Sequence, residues 1–484
     1  MFLFVSSLAT RVLAAEPFVD AEPVAETKAP KPAGGGWTEQ SLLDACGTTI
    51  PPGTSLVLRA ADVDTYNTRF VDSPGDEDAG GCWIRGADLR IRSEVGVVLT
   101  APVRLSNVER VEVTGLTFAA GLGTDRVRIV GPAADVTIVG NHFLKVGAPT
   151  TSGGAIVVTR QKDGRQGEDI RRVRIADNVI DVVEAGGGKP GEFDAYGIHV
   201  AAEAGRIEDV LIDNNELGPS CQGAILIDTG TSEAIAVNGA VTRFRITRNH
   251  VACYDNIGID AMGGERQGPG IPTEGRFDHN LVESFRYSEQ KNNNPGFGLY
   301  SDGARRLVFE RNLVHGGWDG MEVSAEKAVA SRDVALRDNL VVGAIRRAFR
   351  IGTWRSSVFV SLRDVTVSDL EVVRAGEVDP VLIDPKHSLD DRWPERVEFE
   401  FSRRSFIGGK VSAVELSARV RGTDTAAVTW DLKGLRRAVE RGVDVHPTLE
   451  LPEYTKYPTG CEIFRAKWPD DRELPKGCEV SSGP

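Results

Sequence analysis

Apolar and polar residues alternate in short runs along most of this chain, and one run recurs as apolar-x-apolar-x-x-Asn-x-apolar. It is found at residues 136–143, 173–180, 210–217, 244–251, 307–314 and 334–341, with looser copies at 111–118 and 365–372. The asparagines are Asn141, Asn178, Asn215, Asn249, Asn280, Asn312 and Asn339, spaced 37, 37, 34, 31, 32 and 27 residues apart. A second run alternates with the first and opens on a small residue. Its copies are Ala155-Ile156-Val157-Val158, Gly197-Ile198-His199-Val200, Ala224-Ile225-Leu226-Ile227 and Gly258-Ile259-Asp260-Ala261, then Gly298-Leu299-Tyr300-Ser301, Gly320-Met321-Glu322-Val323 and Ala348-Phe349-Arg350-Ile351. Alternation with a period of two predicts half-buried strands in both runs.

Each repeat therefore reads as strand, bend, strand and return, with a buried face too small to stand alone. Such units stack, and because equivalent strands recur in one direction the stacking is parallel, with right-handed crossovers. Equivalent residues of successive coils then form columns at about 4.8 Å per coil. The asparagine column is explained structurally, since side-chain amides at a bend satisfy local backbone and bond along the column. The expected fold class is all-β, a right-handed parallel β-helix.

The runs Asn256-Ile257-Gly258-Ile259-Asp260, Gly298-Leu299-Tyr300-Ser301-Asp302-Gly303 and Asp319-Gly320-Met321-Glu322-Val323 resemble secreted bacterial members of the pectate-lyase-like right-handed parallel β-helix superfamily. The resemblance spans roughly residues 85–385. It implies a fold and leaves the activity open, because the superfamily holds lyases, hydrolases, epimerases and non-catalytic adhesins. The Asn-Thr-Asp and Gly-His-Gly motifs of polygalacturonase-like hydrolases and the Asp-Pro-His-Asp of alginate-epimerase-like proteins do not occur, so no family mechanism transfers residue by residue.

The ends lack the repeat. Residues 1–15 form an apolar run closing on Val12-Leu13-Ala14-Ala15, which reads as a signal peptide and predicts a secreted, periplasmic or cell-surface protein. Residues 16–36, rich in Ala, Glu, Pro and Gly, read as a disordered linker. An open stack needs covered ends. Residues 37–84, with a short helix over 41–45, are the expected first cap, and residues 386–484 the final coils and second cap, with an amphipathic helix at 431–441. Six cysteines fall into sequence-close couples, Cys46 with Cys82, Cys221 with Cys253 and Cys461 with Cys478. Disulfides are favoured over a metal site, since no Cys-x-x-Cys occurs. A formal charge of −13 argues against nucleic-acid binding, and no segment reaches the length of a membrane span.

Outward positions of the second run make one column: Val157, His199, Leu226, Asp260, Tyr300, Glu322 and Arg350. Two residues earlier, Ala155, Gly197, Ala224, Gly258, Gly298, Gly320 and Ala348 predict a shallow trough beside it. Long insertions border this face and carry Phe193, Tyr196, Lys291 and Phe297, with Trp318 nearby. Aromatic faces beside carboxylates suit sugar rings, and a groove along a stack suits a polymer, so an acidic polysaccharide is the expected partner. His199, Asp260, Tyr300, Glu322 and Arg350 are the candidate catalytic residues. A base with a group that neutralises a uronate carboxylate would support β-elimination or C5 epimerisation. Asp260 and Glu322, about 10 Å apart at two coils, would alternatively suit inverting hydrolysis. A non-catalytic glycan-binding surface is the third reading. Calcium is a candidate cofactor, with Asp228, Asp260 and Asp302 as oxygen donors.

Overall fold

The computed structural model describes residues 23–70 apart from 33 and 35, most of 81–352, short strand segments between 363 and 431, and residues 459–478. Its strands form a 21-stranded and an 11-stranded sheet, and every pairing is parallel. Each strand pairs with its equivalent one coil on: Ile257–Met262 with Phe297–Asp302, that with Asp319–Ser324, and that with Arg347–Gly352. The chain is a parallel β-helix, as its repeat predicts.

The coil has three faces where two strands were expected. The first run contains two strands, divided at its asparagine. The strand Ala195–Asp213 ends just before Asn215, and Glu216–Leu217 resumes in the smaller sheet. The residue ahead of each asparagine has a left-handed backbone, with φ of 55° at Asp177, 54° at Asn214, 55° at Arg248 and 56° at His279. That conformation redirects the chain within a single residue.

The asparagines make a continuous ladder in the buried corner. Nδ2 of Asn141, Asn178, Asn215, Asn249, Asn280 and Asn312 donates to Oδ1 of the next asparagine at 2.9–3.0 Å. Each accepting Oδ1 also takes the backbone N–H of the preceding rung, as Asn280 does from Asn249 at 3.0 Å. Inside, Ile198, Val200, Ile235, Val237, Ile259, Leu299, Met321 and Val323 belong to one apolar core. Phe118 stacks on Phe143 at 5.1 Å, and Phe277 meets Phe309 edge-on at 4.9 Å.

Two ends differ from expectation. Residues 23–32, expected as a disordered linker, lie along the stack: the amides of Ala25, Lys28 and Lys31 donate to Asp209, Asp135 and Asp88. The described part of the tail, residues 459–478, lies on the flank of the stack. Its helix, Gly460–Lys467, packs on the flank of the stack, where Ile463, Phe464 and Trp468 meet Leu281, Leu313 and Leu340. A Thr459–Glu462 capping box starts this helix, and Glu283 accepts the Gly460 amide at 3.1 Å. The first short helix is Leu42–Ala45. Cys46–Cys82 and Cys461–Cys478 are disulfides, which fits an oxidising compartment. Cys221, Cys253, the run 1–15 and the expected helix beyond Asp431 lie outside the described residues. No helix among the described residues is long and apolar enough to cross a membrane.

Candidate active site

The outward column of the largest sheet can be followed rung by rung. It runs Arg104, Arg128, Val157, His199, Ala236, Asp260, Tyr300, Glu322 and Arg350. Ala236 replaces the expected Leu226. Ala234-Ile235-Ala236-Val237 has the same small-then-alternating pattern as Ala224-Ile225-Leu226-Ile227, and it is the former that pairs with Gly197-Ile198-His199-Val200. Residues 224–227 lie outside the described residues, as do Phe193, Asp228, Lys291 and Trp318. For Arg350 only the strand register is described, beside Glu322.

The Gly/Ala column is not a trough. A Cβ on Gly258 would fall 2.5 Å from Val282 Cγ1 and 2.5 Å from the Gly298 carbonyl oxygen. On Gly298 it would meet Val314 Cγ1 at 2.5 Å and the Gly320 oxygen at 2.6 Å. Period-two counting places this column outside. Gly258 and Gly298 lie inside their strands, and small residues there let the backbone pass against buried valines of the smaller sheet.

Asp260, Tyr300 and Glu322 occupy three successive rungs, so the expected carboxylate pair is indeed two coils apart. All three are buried, with Asp260 and Glu322 fully so. Glu322 is therefore not half of a solvent-exposed ion pair. Phe297 stacks on Tyr300 at 5.2 Å, and with Ile257 they form a small apolar cluster outside the core. Asp302 lies on the coil after Asp260 but pairs with Met262, one column over. Buried Glu233 and Asp319 flank the same face, making this part of the sheet strongly acidic.

His199 lies two rungs before Asp260, with Ala236 between them, and is half-buried. Its ring stacks on Tyr196 at 3.9 Å with 13° between planes. Its Nε2 is 3.1 Å from Nδ2 of Asn238. Loss of hydration under these neighbours, together with the positive charge of Arg128, pushes the imidazole down to about 3. His199 is therefore neutral at pH 7.

Arg104, Arg128 and Asn238 were not anticipated from sequence. Arg128 contacts Asp125 at 3.2 Å, and Asp125 also accepts the Gly154 amide at 3.0 Å. Arg104 lies 5.7 Å over the Trp83 ring. The legible signal was the alternation Val103-Arg104-Leu105 and Val127-Arg128-Ile129, in register with the second run. The face thus carries arginines at its first coils and carboxyl groups from Glu233 onward.

Among the described residues one group has metal-like spacing, Asp278, His279 and Glu473. Arg245 donates to both carboxylates there, at 2.6–2.9 Å, and supplies the positive charge itself. The group ties the tail to the stack, with Asp471 on His279 Nε2 at 2.8 Å.

No family model matches the chain, and no curated protein matches it. Among solved structures it is similar to a periplasmic alginate epimerase, AlgG, at 11% identity and a TM-score of 0.33, over 68% of this chain and 84% of that one. It is also similar to a mannuronic-acid-specific family 6 polysaccharide lyase from human gut microbiota, at 13% and 0.35, over 85% and 98%. A pectate lyase variant from Xanthomonas campestris is similar at 12% and 0.30, over 75% and 84%. At this level the likeness is one of coiled architecture, and the chemistry has to come from this chain's own residues.

Proposed function

We propose that the outward face around Arg104, Arg128 and His199 binds an acidic polysaccharide, and that His199 removes the C5 proton of a uronate residue, leading to β-elimination or C5 epimerisation. The observation that carries this reading is the state of His199. It is a neutral, half-buried imidazole held between Tyr196 and Asn238 and lying near a guanidinium. Proton abstraction beside a carboxylate needs a deprotonated base and a cation that stabilises the enolate-like charge. Arg128 is that cation. Tyr196, stacked on the imidazole, is the proposed proton donor to the departing O4 in elimination, whereas epimerisation needs a proton delivered to the opposite face of C5. Asp260, Tyr300 and Glu322 are buried in the following rungs, so their part in this reading is to support the face from beneath, with Phe297 packed on Tyr300.

Inverting hydrolysis by Asp260 and Glu322 is less well supported. One of the pair would have to hold a water molecule, and both carboxylates are fully buried. The test is incubation with polymannuronate, polyguluronate and polygalacturonate in deuterated water. New double bonds, deuterium at C5 and reducing ends are followed together. Elimination or exchange is expected, and His199→Ala should lower it by about 10²–10⁴-fold. Reducing ends without double bonds, lost in Glu322→Gln and retained in His199→Ala, would establish the hydrolase instead. Glycan binding with none of the three products would leave a binding protein.

Secretion belongs to the same proposal, supported by the two disulfides and by a polymeric substrate that cells hold outside the cytoplasm.

A further inference from the structure

A second column, on the next face of the stack, has an alternation that no strand pattern requires. Its residues are Asp88, Arg110, Asp135, Arg172, Asp209, Arg243, Glu274, Arg306 and Asp333, one per coil. Acid and arginine alternate throughout. Every one has a left-handed backbone, with φ between 51° and 59°. Each arginine clamps the acid of the coil before it. Arg110 holds Asp88 at 2.7 and 2.9 Å, Arg172 holds Asp135 at 2.6 and 2.8 Å, and Arg243 holds Asp209 at 2.8 and 3.1 Å. Carboxylates fixed in this way still have lone pairs to offer.

Residues 23–32 use them. The Lys31 amide donates to Asp88 at 3.2 Å, Lys28 to Asp135 at 2.9 Å and Ala25 to Asp209 at 3.3 Å. Three residues of the segment therefore span two coils of the stack. Two coils measure about 9.6 Å at strand spacing, and three residues of polyproline-II chain measure about 9.3 Å, so the two repeats match within a few tenths of an ångström. The segment's burial has the same period. Val24 and Thr27 are partly covered and Pro30 is buried, whereas their neighbours are exposed. Pro23, Pro30 and Pro32 favour the extended conformation before docking, which lowers the entropy lost on ordering.

We propose that the acid rungs of this column form a binding site for an extended, proline-containing polypeptide, read through one backbone N–H in every three residues. In this protein the chain's own residues 23–32 fill it. The site recognises spacing and backbone more than side-chain identity, since the contacts to Asp88, Asp135 and Asp209 come from amides. It ties the first coils of the stack together across five rungs, from Asp209 back to Asp88.

Amide hydrogen exchange in the full chain tests this directly. The Ala25, Lys28 and Lys31 amides should exchange at least about tenfold more slowly than those of Glu26, Thr27 and Ala29. Inserting one glycine between Thr27 and Lys28 breaks the match and should abolish protection on one side of the insertion. Inserting three residues, Ala-Pro-Lys, restores the period and should restore protection. Both insertions lie outside the stacked strands, and the unfolding midpoint of the stack reports whether it stays folded. Uniform exchange across the six amides, or equal behaviour of the two insertions, would overturn the proposal.

Discussion

The side chains that organise this molecule act mostly by how completely they are satisfied. Asn249 shows this most clearly. Its Nδ2 donates to Ile212 O, Thr247 O and Asn280 Oδ1, and its Oδ1 accepts from both nitrogens of Asn215. It is fully buried, so removing the amide strands donors and acceptors that water cannot reach. Asn249→Ala should destabilise the stack by about 3–5 kcal/mol, measured as a shift in the denaturant midpoint, whereas a loss below about 1 kcal/mol would mean the ladder is incidental. His199 is the opposite case, a residue whose environment holds it neutral and only half covered. Its position in the column was legible from alternation alone. Its protonation state was not, because that depends on Arg128, Tyr196 and Asn238, which approach from other coils or other parts of the strand.

At the scale of strands and coils, the asparagine spacing made the fold readable, because a buried corner tolerates few other side chains there. Register was readable wherever one small-residue run existed per coil, as at Gly258, Gly298 and Gly320. It failed where two runs competed, Ala224 against Ala234, because both satisfy the same local pattern and only pairing with Gly197-Ile198-His199-Val200 decides between them. The Gly/Ala column was misplaced for a geometric reason. Strand periodicity says nothing about the neighbouring sheet, and the backbone at those positions passes against Val282 and Val314. The candidate carboxylates were found in the correct rungs, but their full burial depends on packing that a one-dimensional pattern does not contain.

Across the whole molecule, residues 23–32 and 459–478 both lie along the stack, and neither was expected to. Residues 23–32 have the composition of a linker because their docking buries few side chains and relies on backbone amides. The tail depends on ionised groups. Burial alone would raise the Glu283 carboxyl, but hydrogen bonds from His250 at 2.8 Å and His315 at 3.0 Å outweigh it and hold the group down at about 2. A depressed carboxylate stabilises above its unfolded value of 4.5 and loses that contribution as the pH falls through about 2. The stack around Glu283 should therefore lose up to about 3 kcal/mol of stability between those two values. In Glu283→Gln most of that acid dependence should disappear, as followed by the denaturant midpoint of the full chain over a pH series. An unchanged acid profile in the variant would assign the dependence to other carboxylates, Asp278 first.

The functional account rests on His199 being a base that stays neutral well into the acid range. The most direct measurement is the pH dependence of kcat/KM on the uronate polymer that proves to be turned over. With the imidazole at about 3, well below its usual 6.5, the acid limb should stay flat from about pH 7 to about pH 5, because protonation there does not reach the base. An acid limb that falls with a midpoint near 6.5 and persists in His199→Gln would contradict the account.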